Sequence, residues 1–226
     1  MNRAAIALVL IAGVHAWRPV RAGRGEEQAQ ESSGDILQRE ARLKEAERAG
    51  RDALSRVRKS RGESDPRVAD AVIDLASNLD AQGKARAVED LYRLEIDVSR
   101  KNADQGNTSV LSIAFAEWLL KMRRPADAEL LARGGLDLGL KSLKAGDWRL
   151  GRARSVIGEA LAAQRKFAKA ETFLLEGQKD LAAAADAPDD VRQSAIRRLV
   201  DLYEAWERTS PGQGKMAEAE RWKARL

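Results

Sequence analysis

Apolar side chains recur along most of the chain at intervals of three and four residues, the period of a helix with one buried face. Leu37, Leu43, Ala46, Ala49, Leu54 and Val57 form such a stripe, with Asp35 as N-cap before Ile36 and a stop at Arg61-Gly62. Beyond that stop no segment alternates apolar and polar residues as a half-buried strand does. Prolines punctuate and never interrupt a periodic run. Asp65-Pro66 reads as N-cap and first helical residue, Pro125 and Pro188 suit helix starts, and Pro211 sits in the loop Thr209-Ser-Pro-Gly-Gln-Gly. The pattern predicts an all-α chain.

Four stretches superpose through most of their length. They begin Leu75-Ala-Ser-Asn-Leu-Asp-Ala-Gln, Phe115-Ala-Glu-Trp-Leu-Leu-Lys-Met, Ile157-Gly-Glu-Ala-Leu-Ala-Ala-Gln and Leu199-Val-Asp-Leu-Tyr-Glu-Ala-Trp. The fourth resumes after an insertion at 208–214 as Lys215-Met-Ala-Glu-Ala-Glu. Their second positions, Ala76, Ala116, Gly158 and Val200, are 40, 42 and 42 residues apart. Counting 42 back from Val88 reaches Ala46 in Lys44-Glu-Ala-Glu, so the helix at 36–61 reads as the second helix of a degenerate first unit. Each unit is a helix, a short turn and a second helix. Small residues in the first helix (Ala76, Ala116, Gly158) and in the second (Ala128, Ala170, Ala219) let the pair approach to about 8–10 Å. Leu79, Leu119, Leu161 and Tyr203 fill the space between units. One pair cannot bury its own apolar face, so the units must stack as a solenoid.

A small residue, Leu or Tyr three on, a turn seven or eight after the small residue, then Ala-Glu: this resembles the tetratricopeptide repeat. The period near 42 is similar to the longer-helix variety of kinesin light chains and many bacterial proteins, whose first helix often opens as Pro66-Arg-Val-Ala does here. The resemblance covers residues 36–226. The stretch from Ile157 to Trp222-Lys-Ala-Arg-Leu226 also looks like repeat regions that follow some bacterial serine/threonine kinase domains, but Gly-rich loop, His-Arg-Asp and Asp-Phe-Gly are all missing, so no activity carries over. The chain departs from the pattern at Leu94–Ser99, at Gly134-Gly135 inside a predicted helix, and at the insertion.

Met-Asn-Arg followed by an apolar run from Ala4 to Val14 reads as a secretory signal, the run being too short for a span of about 20 residues. Cleavage sites follow at Val14-His15-Ala16 and Val20-Arg21-Ala22. The second is preferred because the first would start the mature chain at bulky Trp17. The expected organisation is a signal peptide at 1–22, a flexible linker at 23–34 without large apolar side chains, and a repeat domain at 35–226 of about four units plus the degenerate half-unit. The expected location is outside the cytoplasm of a bacterium, periplasmic or secreted, with membrane contact only through the leader.

Composition narrows the chemistry. The chain has no cysteine, and its one histidine, His15, lies in the leader. The mature chain then lacks disulfides, thiolate ligands and the commonest general base. Lys+Arg minus Asp+Glu is 40 − 35 = +5, and losing Arg3, Arg18 and Arg21 leaves 37 − 35 = +2. The basic cluster Arg51, Arg56, Arg58, Lys59 and Arg61 reads as a helix-end cluster, so nucleic acid is not an expected partner. Gly214-Lys215 fails the phosphate-loop pattern, because Thr209 and Met216 stand where Gly and Ser or Thr are needed. Asp189 and Asp190 follow Pro188 as first-turn acids. Asn107-Thr108-Ser109 is a sequon of the kind that occurs by chance. Trp118, Trp148, Trp206 and Trp222 read as inter-helix packing. Neither metal nor cofactor is expected.

The resemblance implies that the first helix of each pair lines a concave surface. The residue after the small position points into it: Ser77, Glu117, Glu159 and Asp201. One turn away lie Ile73, Ile113, Ser155 and Arg197, and on the other side Asp80, Leu120 with Lys121, Ala162 and Glu204. The implied inner wall is a row of carboxylates with Arg152 and Arg197 toward the C-terminal half. It lacks the Asn and Lys pairs that grip a peptide C-terminus in some members. The expected role is an exported, non-catalytic scaffold whose concave face holds a peptide or partner helix with Lys or Arg beside apolar anchors. The alternatives are a carboxylate-dependent hydrolase and a structural spacer. The last helix, 215–226, reads as a cap laying Met216, Ala219 and Trp222 inward, with Lys215, Glu218 and Arg221 toward water.

Overall fold

Asp65 accepts a hydrogen bond from the backbone N–H of Arg67, 3.0 Å away, and Pro66 follows as first helical residue. Asp104 and Asp147 cap two further helices in the same way through Asn107 and Arg149. These caps open the first helices of successive pairs. A computed structural model describes residues 33–226 of the chain; the expected leader and nearly all of the expected linker lie outside them. Residues 39–226 form one compact unit, and of the other only residues 33–38 are described.

The described helices are α1 (Ser33–Arg61), α2 (Pro66–Ala81), α3 (Ala85–Lys101), α4 (Gln105–Lys121), α5 (Pro125–Ser142), α6 (Trp148–Ala163), α7 (Phe167–Ala183), α8 (Asp189–Thr209) and α9 (Lys215–Lys223), with no strand among the described residues. α1 starts two residues before the expected cap, which places Asp35 in its first turn. Pro188 is the N-cap of α8, with Asp189 and Asp190 in the first turn.

The helices pair as α2–α3, α4–α5, α6–α7 and α8–α9, and each second helix also touches the first helix of the next pair. The first helices touch one another in order, α2 to α4, α4 to α6 and α6 to α8, while α3, α5 and α7 make no such contact. Rods that meet on one side and part on the other form a curved stack, so α2, α4, α6 and α8 line its inner face.

One ion pair repeats at every junction. Glu47, Glu89, Glu129 and Glu171, which follow Ala46, Val88, Ala128 and Ala170, meet Lys84 at 2.7 Å, Arg124 at 3.0 Å, Lys166 at 3.1 Å and Lys215 at 3.0 Å from the next pair. Each cation directly follows a residue with left-handed backbone: Gly83, Arg123, Arg165 and Gly214, with φ of 71°, 58°, 60° and 72°. Gly214-Lys215 is therefore the fourth copy of a turn, re-entering the register after the insertion. Through Glu47, α1 makes the same contact to the next pair that α3, α5 and α7 make.

Close helix approach depends on missing Cβ atoms. A Cβ on Gly158 would sit 2.5 Å from Leu174 Cγ, and one on Gly177 would sit 2.7 Å from the Gly151 carbonyl. The Gly134-Gly135 departure has the same cause at its second residue. A Cβ on Gly135 would lie 2.9 Å from Ile113 Cδ1, and its carbonyl accepts from Ser109 Oγ at 2.7 Å. The departure at Leu94–Ser99 buries Glu95, 3% exposed, against Arg58 of α1. Burial pushes the Glu95 carboxyl above its usual range, with Arg58 opposing. Asn107 is buried, and its amide donates to the Asp65 carbonyl at 3.1 Å, so it presents no glycosylation acceptor.

The cap reading needs one correction. Ala219 is fully buried and Trp222 packs on the core, but Met216 is 44% exposed. Lys215 turns inward instead, held by Glu171 and lying 3.9 Å from the centre of the Trp206 ring. The clamp fixes the phase of α9, and Met216 follows it one position round.

Candidate functional site

The inner face holds two adjoining hollows. The N-terminal one, about 250 Å³, lies between α2 and α4, with Tyr92 reaching it from α3. The C-terminal one, about 390 Å³, lies among α4, α6 and α8, with Trp148, Asp190 and Ser194 on its walls. Glu117 and Arg152 line both, so their ion pair is the ridge between them.

Glu117 sits between two guanidiniums. Arg152 of α6 donates to both its oxygens, and Arg198 of α8 donates to Oε1 at 3.1 Å. Arg198 also pairs with Glu159 and lies 3.3 Å from Ser155 Oγ. The charges thus alternate as Arg152, Glu117, Arg198, Glu159 across α4, α6 and α8. Burial disfavours ionised Glu117, but the two arginines outweigh it and hold the carboxyl below its ordinary range. The same pairing raises Arg152 against the opposing effect of burial.

Of the residues read from sequence, Glu117, Arg152, Ser155 and Glu159 converge here. Asp80 joins the N-terminal hollow, where it accepts from Trp118 Nε1 at 2.9 Å and pairs with Lys121. Lys121 and Trp118 outweigh burial and lower its pKa. Leu120 is half-buried against the core. Ser77 is exposed on the rim, and its hydroxyl donates to the Ile73 carbonyl at 2.9 Å. Glu204 pairs with Lys223 of α9 at 2.7 Å, away from both hollows. Asp201 is exposed and lines neither hollow; partial desolvation of its carboxyl and the nearby Glu204 raise its pKa.

The inner wall is therefore no open row of carboxylates, because four of its acids are already bound to cations. Arg197 is also corrected: it is exposed, with Gln193 Oε1 3.4 Å away, and its neighbour Arg198 carries the inner charge. In the second pair the residue matching Arg197, Ile113, lies under the second helix beside Gly135. α9, nine residues long, leaves Arg197 uncovered. The residue matching Arg198 is Ala114 or Val156 in the two preceding pairs, both buried, so counting from them marks it as core, although Asp74 at the same register of the first pair is exposed. A charged residue at a core register is the signal that could have found it.

Among the described residues no group of three or more His, Asp or Glu converges to hold a metal ion, and no helix is long and apolar enough to cross a membrane. No family model matches the chain, and no curated protein matches it in sequence. Its shape does find counterparts. The crystal structure of BtubC (BKLC) from P. vanneervenii superposes over 84% of this chain and 77% of its own, with a TM-score of 0.62 at 17% identity. A protein of Podosopora anserina described as a kinesin light chain with nearly identical TPR-like repeats, crystallised as a single-residue variant, covers 84% of this chain and 91% of its own, with a TM-score of 0.58 at 14% identity. The fold is tetratricopeptide-like. In that frame α2, α4, α6 and α8 are the first helices of four repeats, and the two hollows lie on the array's inner surface.

Proposed function

We propose that this tetratricopeptide-like chain is an exported, non-catalytic interaction scaffold that holds an extended segment of a partner protein along its inner face. The observation that carries the reading is the pair of adjoining hollows that meet at the Glu117–Arg152 ridge. A groove of this form takes successive side chains of one strand of peptide and leaves the scaffold unchanged. A hydrolase would need a carboxylate aimed at a reacting atom, whereas Glu117 and Asp80 are engaged by arginine and lysine. The charge left for a basic partner residue is at Asp190 on the C-terminal hollow. Association with such a residue weakens as salt is added, since exposed charges are screened beyond about 8–10 Å.

The test is capture from the native host with three baits besides the parent chain. Ser77→Trp fills the N-terminal hollow, Ser194→Trp fills the C-terminal one, and Leu130→Arg alters the outer face, where Leu130 is exposed. The partner is expected to be retained by Leu130→Arg and lost from both tryptophan baits, with unchanged circular dichroism. A partner kept by all three sinks the inner-face reading. Export is tested by cell fractionation and by sequencing the mature N-terminus, expected at Gly23.

A further inference from the structure

The floor of the N-terminal hollow carries a polar group that nothing in the fold uses. Ile73, Ala76 and Ala114 give the hollow apolar walls, and the Tyr92 ring enters from behind, stacked on Phe115 at 5.2 Å between centroids. Tyr92 is only 4% exposed. Its hydroxyl has no hydrogen-bond partner among the described residues. It is not sealed either, since among them only Arg58 Nε and Asp104 Oδ2 are closed to solvent without a hydrogen bond. The hydroxyl therefore opens on the hollow, within the field of Arg152, Glu117 and Asp80. In the next two units its register holds Ala132 and Leu174, so this hollow alone has a phenol.

Water reaches this hydroxyl in the free chain, so a ligand that fills the hollow displaces that water and has to offer an acceptor in its place. Burial pushes the Tyr92 pKa well up, so the hydroxyl stays neutral and can donate. Around it the charges are balanced within the fold. Asp80 is held by Lys121 and Trp118, and Glu117 by Arg152 and Arg198. What they still offer is lone pairs, since a carboxylate has about four acceptor sites. A ligand carboxylate would face those lone pairs with the wrong sign. A ligand ammonium would compete with Lys121 and Arg152 for oxygens already paired. One neutral donor beside several acceptors, in an apolar cup, matches a carboxamide.

We propose that the hollow takes the side chain of a glutamine or asparagine of the bound segment, its carbonyl accepting from Tyr92 and its amide donating to Asp80 or Glu117. The assignment rests on the inner face being the binding surface. The probe is a phage-displayed library of random dodecapeptides panned on the full chain. Enriched peptides are expected to share Gln or Asn at one position. Tyr92→Phe, which keeps the ring on Phe115, lowers their affinity about tenfold, the loss of one buried hydrogen bond, and leaves their Ala-substituted versions unaffected. Circular dichroism of Tyr92→Phe should match the parent. Peptides that lose binding to Ser77→Trp but ignore Tyr92→Phe, or that select a charged or apolar residue there, overturn the carboxamide assignment and leave the inner-face reading intact. No enriched peptide, or peptides indifferent to both Ser77→Trp and Ser194→Trp, overturns both.

Discussion

Arg198 and Glu117 lie 81 residues apart in sequence and 3.1 Å apart in space, Nη2 of the one donating to Oε1 of the other. The bond passes from the fourth first helix to the second and skips the one between. Arg198→Ala is expected to cost about 1–3 kcal/mol, between the worth of a surface pair and that of a buried one, read by urea unfolding. The pair being part of a network, the double variant with Glu117→Gln should lose less than the sum of the single ones. Strict additivity would show that the contact has no energetic weight.

Gly158 and Gly134 are both helical and respond oppositely to a methyl group. Gly134 has nothing within 4 Å of a Cβ, so Gly134→Ala should stabilise by about 0.5–1 kcal/mol through helix propensity. Gly158→Leu should overpack the α6–α7 contact by about 1–3 kcal/mol. Equal thermal stability of the two variants would contradict the packing described.

Two acids give the chain opposite pH slopes. Glu47 is lowered to about 2 by Lys84 and Arg51, with Gln82 assisting. Its contribution is complete above its unfolded value of 4.5 and is lost as pH falls from there through about 2. Glu95 is raised by burial, so stability tied to it falls as pH rises from 4.5 into its raised range. Urea unfolding across pH should show Glu47→Gln flattening the acid limb and Glu95→Gln removing the decline above it. The reverse assignment would refute both environments.

Removing the residues after Ser210 takes away Ala219, Trp222 and Lys215, and uncovers Trp206 with the Phe167 ring stacked on it at 5.7 Å. The truncated chain is expected to associate on size-exclusion chromatography at micromolar concentration. A monomer with the parent's melting temperature would mean that α9 covers nothing of consequence.

Arg123 and Arg165 occupy left-handed backbone where Gly83 and Gly214 serve in the other turns. Arg165→Gly should gain up to about 1 kcal/mol, since its side chain is exposed and has no hydrogen bond or ion pair among the described residues to offset the strain. A loss of stability in thermal unfolding would reveal a role for that side chain.

Spacing of Ala76, Ala116, Gly158 and Val200 made the helix pairs and their register legible, because stacking repeats one backbone geometry and each small residue marks the same contact. Partners of charged side chains were not. A repeat alignment says which face Glu117 is on, but Arg198 reaches it across an intervening helix, a distance no period encodes. It likewise hides Trp118 donating to Asp80 and the open hydroxyl of Tyr92, since both depend on how far one side chain extends beyond its own unit. Met216 failed because the period gives the face of a helix only when its starting phase is known, and the insertion reset that phase until Lys215 met Glu171.

The junction clamps tie each unit to the next and would let the array flex like a spring, each coil giving a little. Arg198 bound to Glu117 removes that compliance from the last three units, because widening their curvature must pull the guanidinium off the carboxylate. Toward the other end Lys121 and Asp80 join only adjacent coils. Pulled from its ends, the molecule should extend first at its N-terminal half, and then yield in a single step when the Arg198 contact parts.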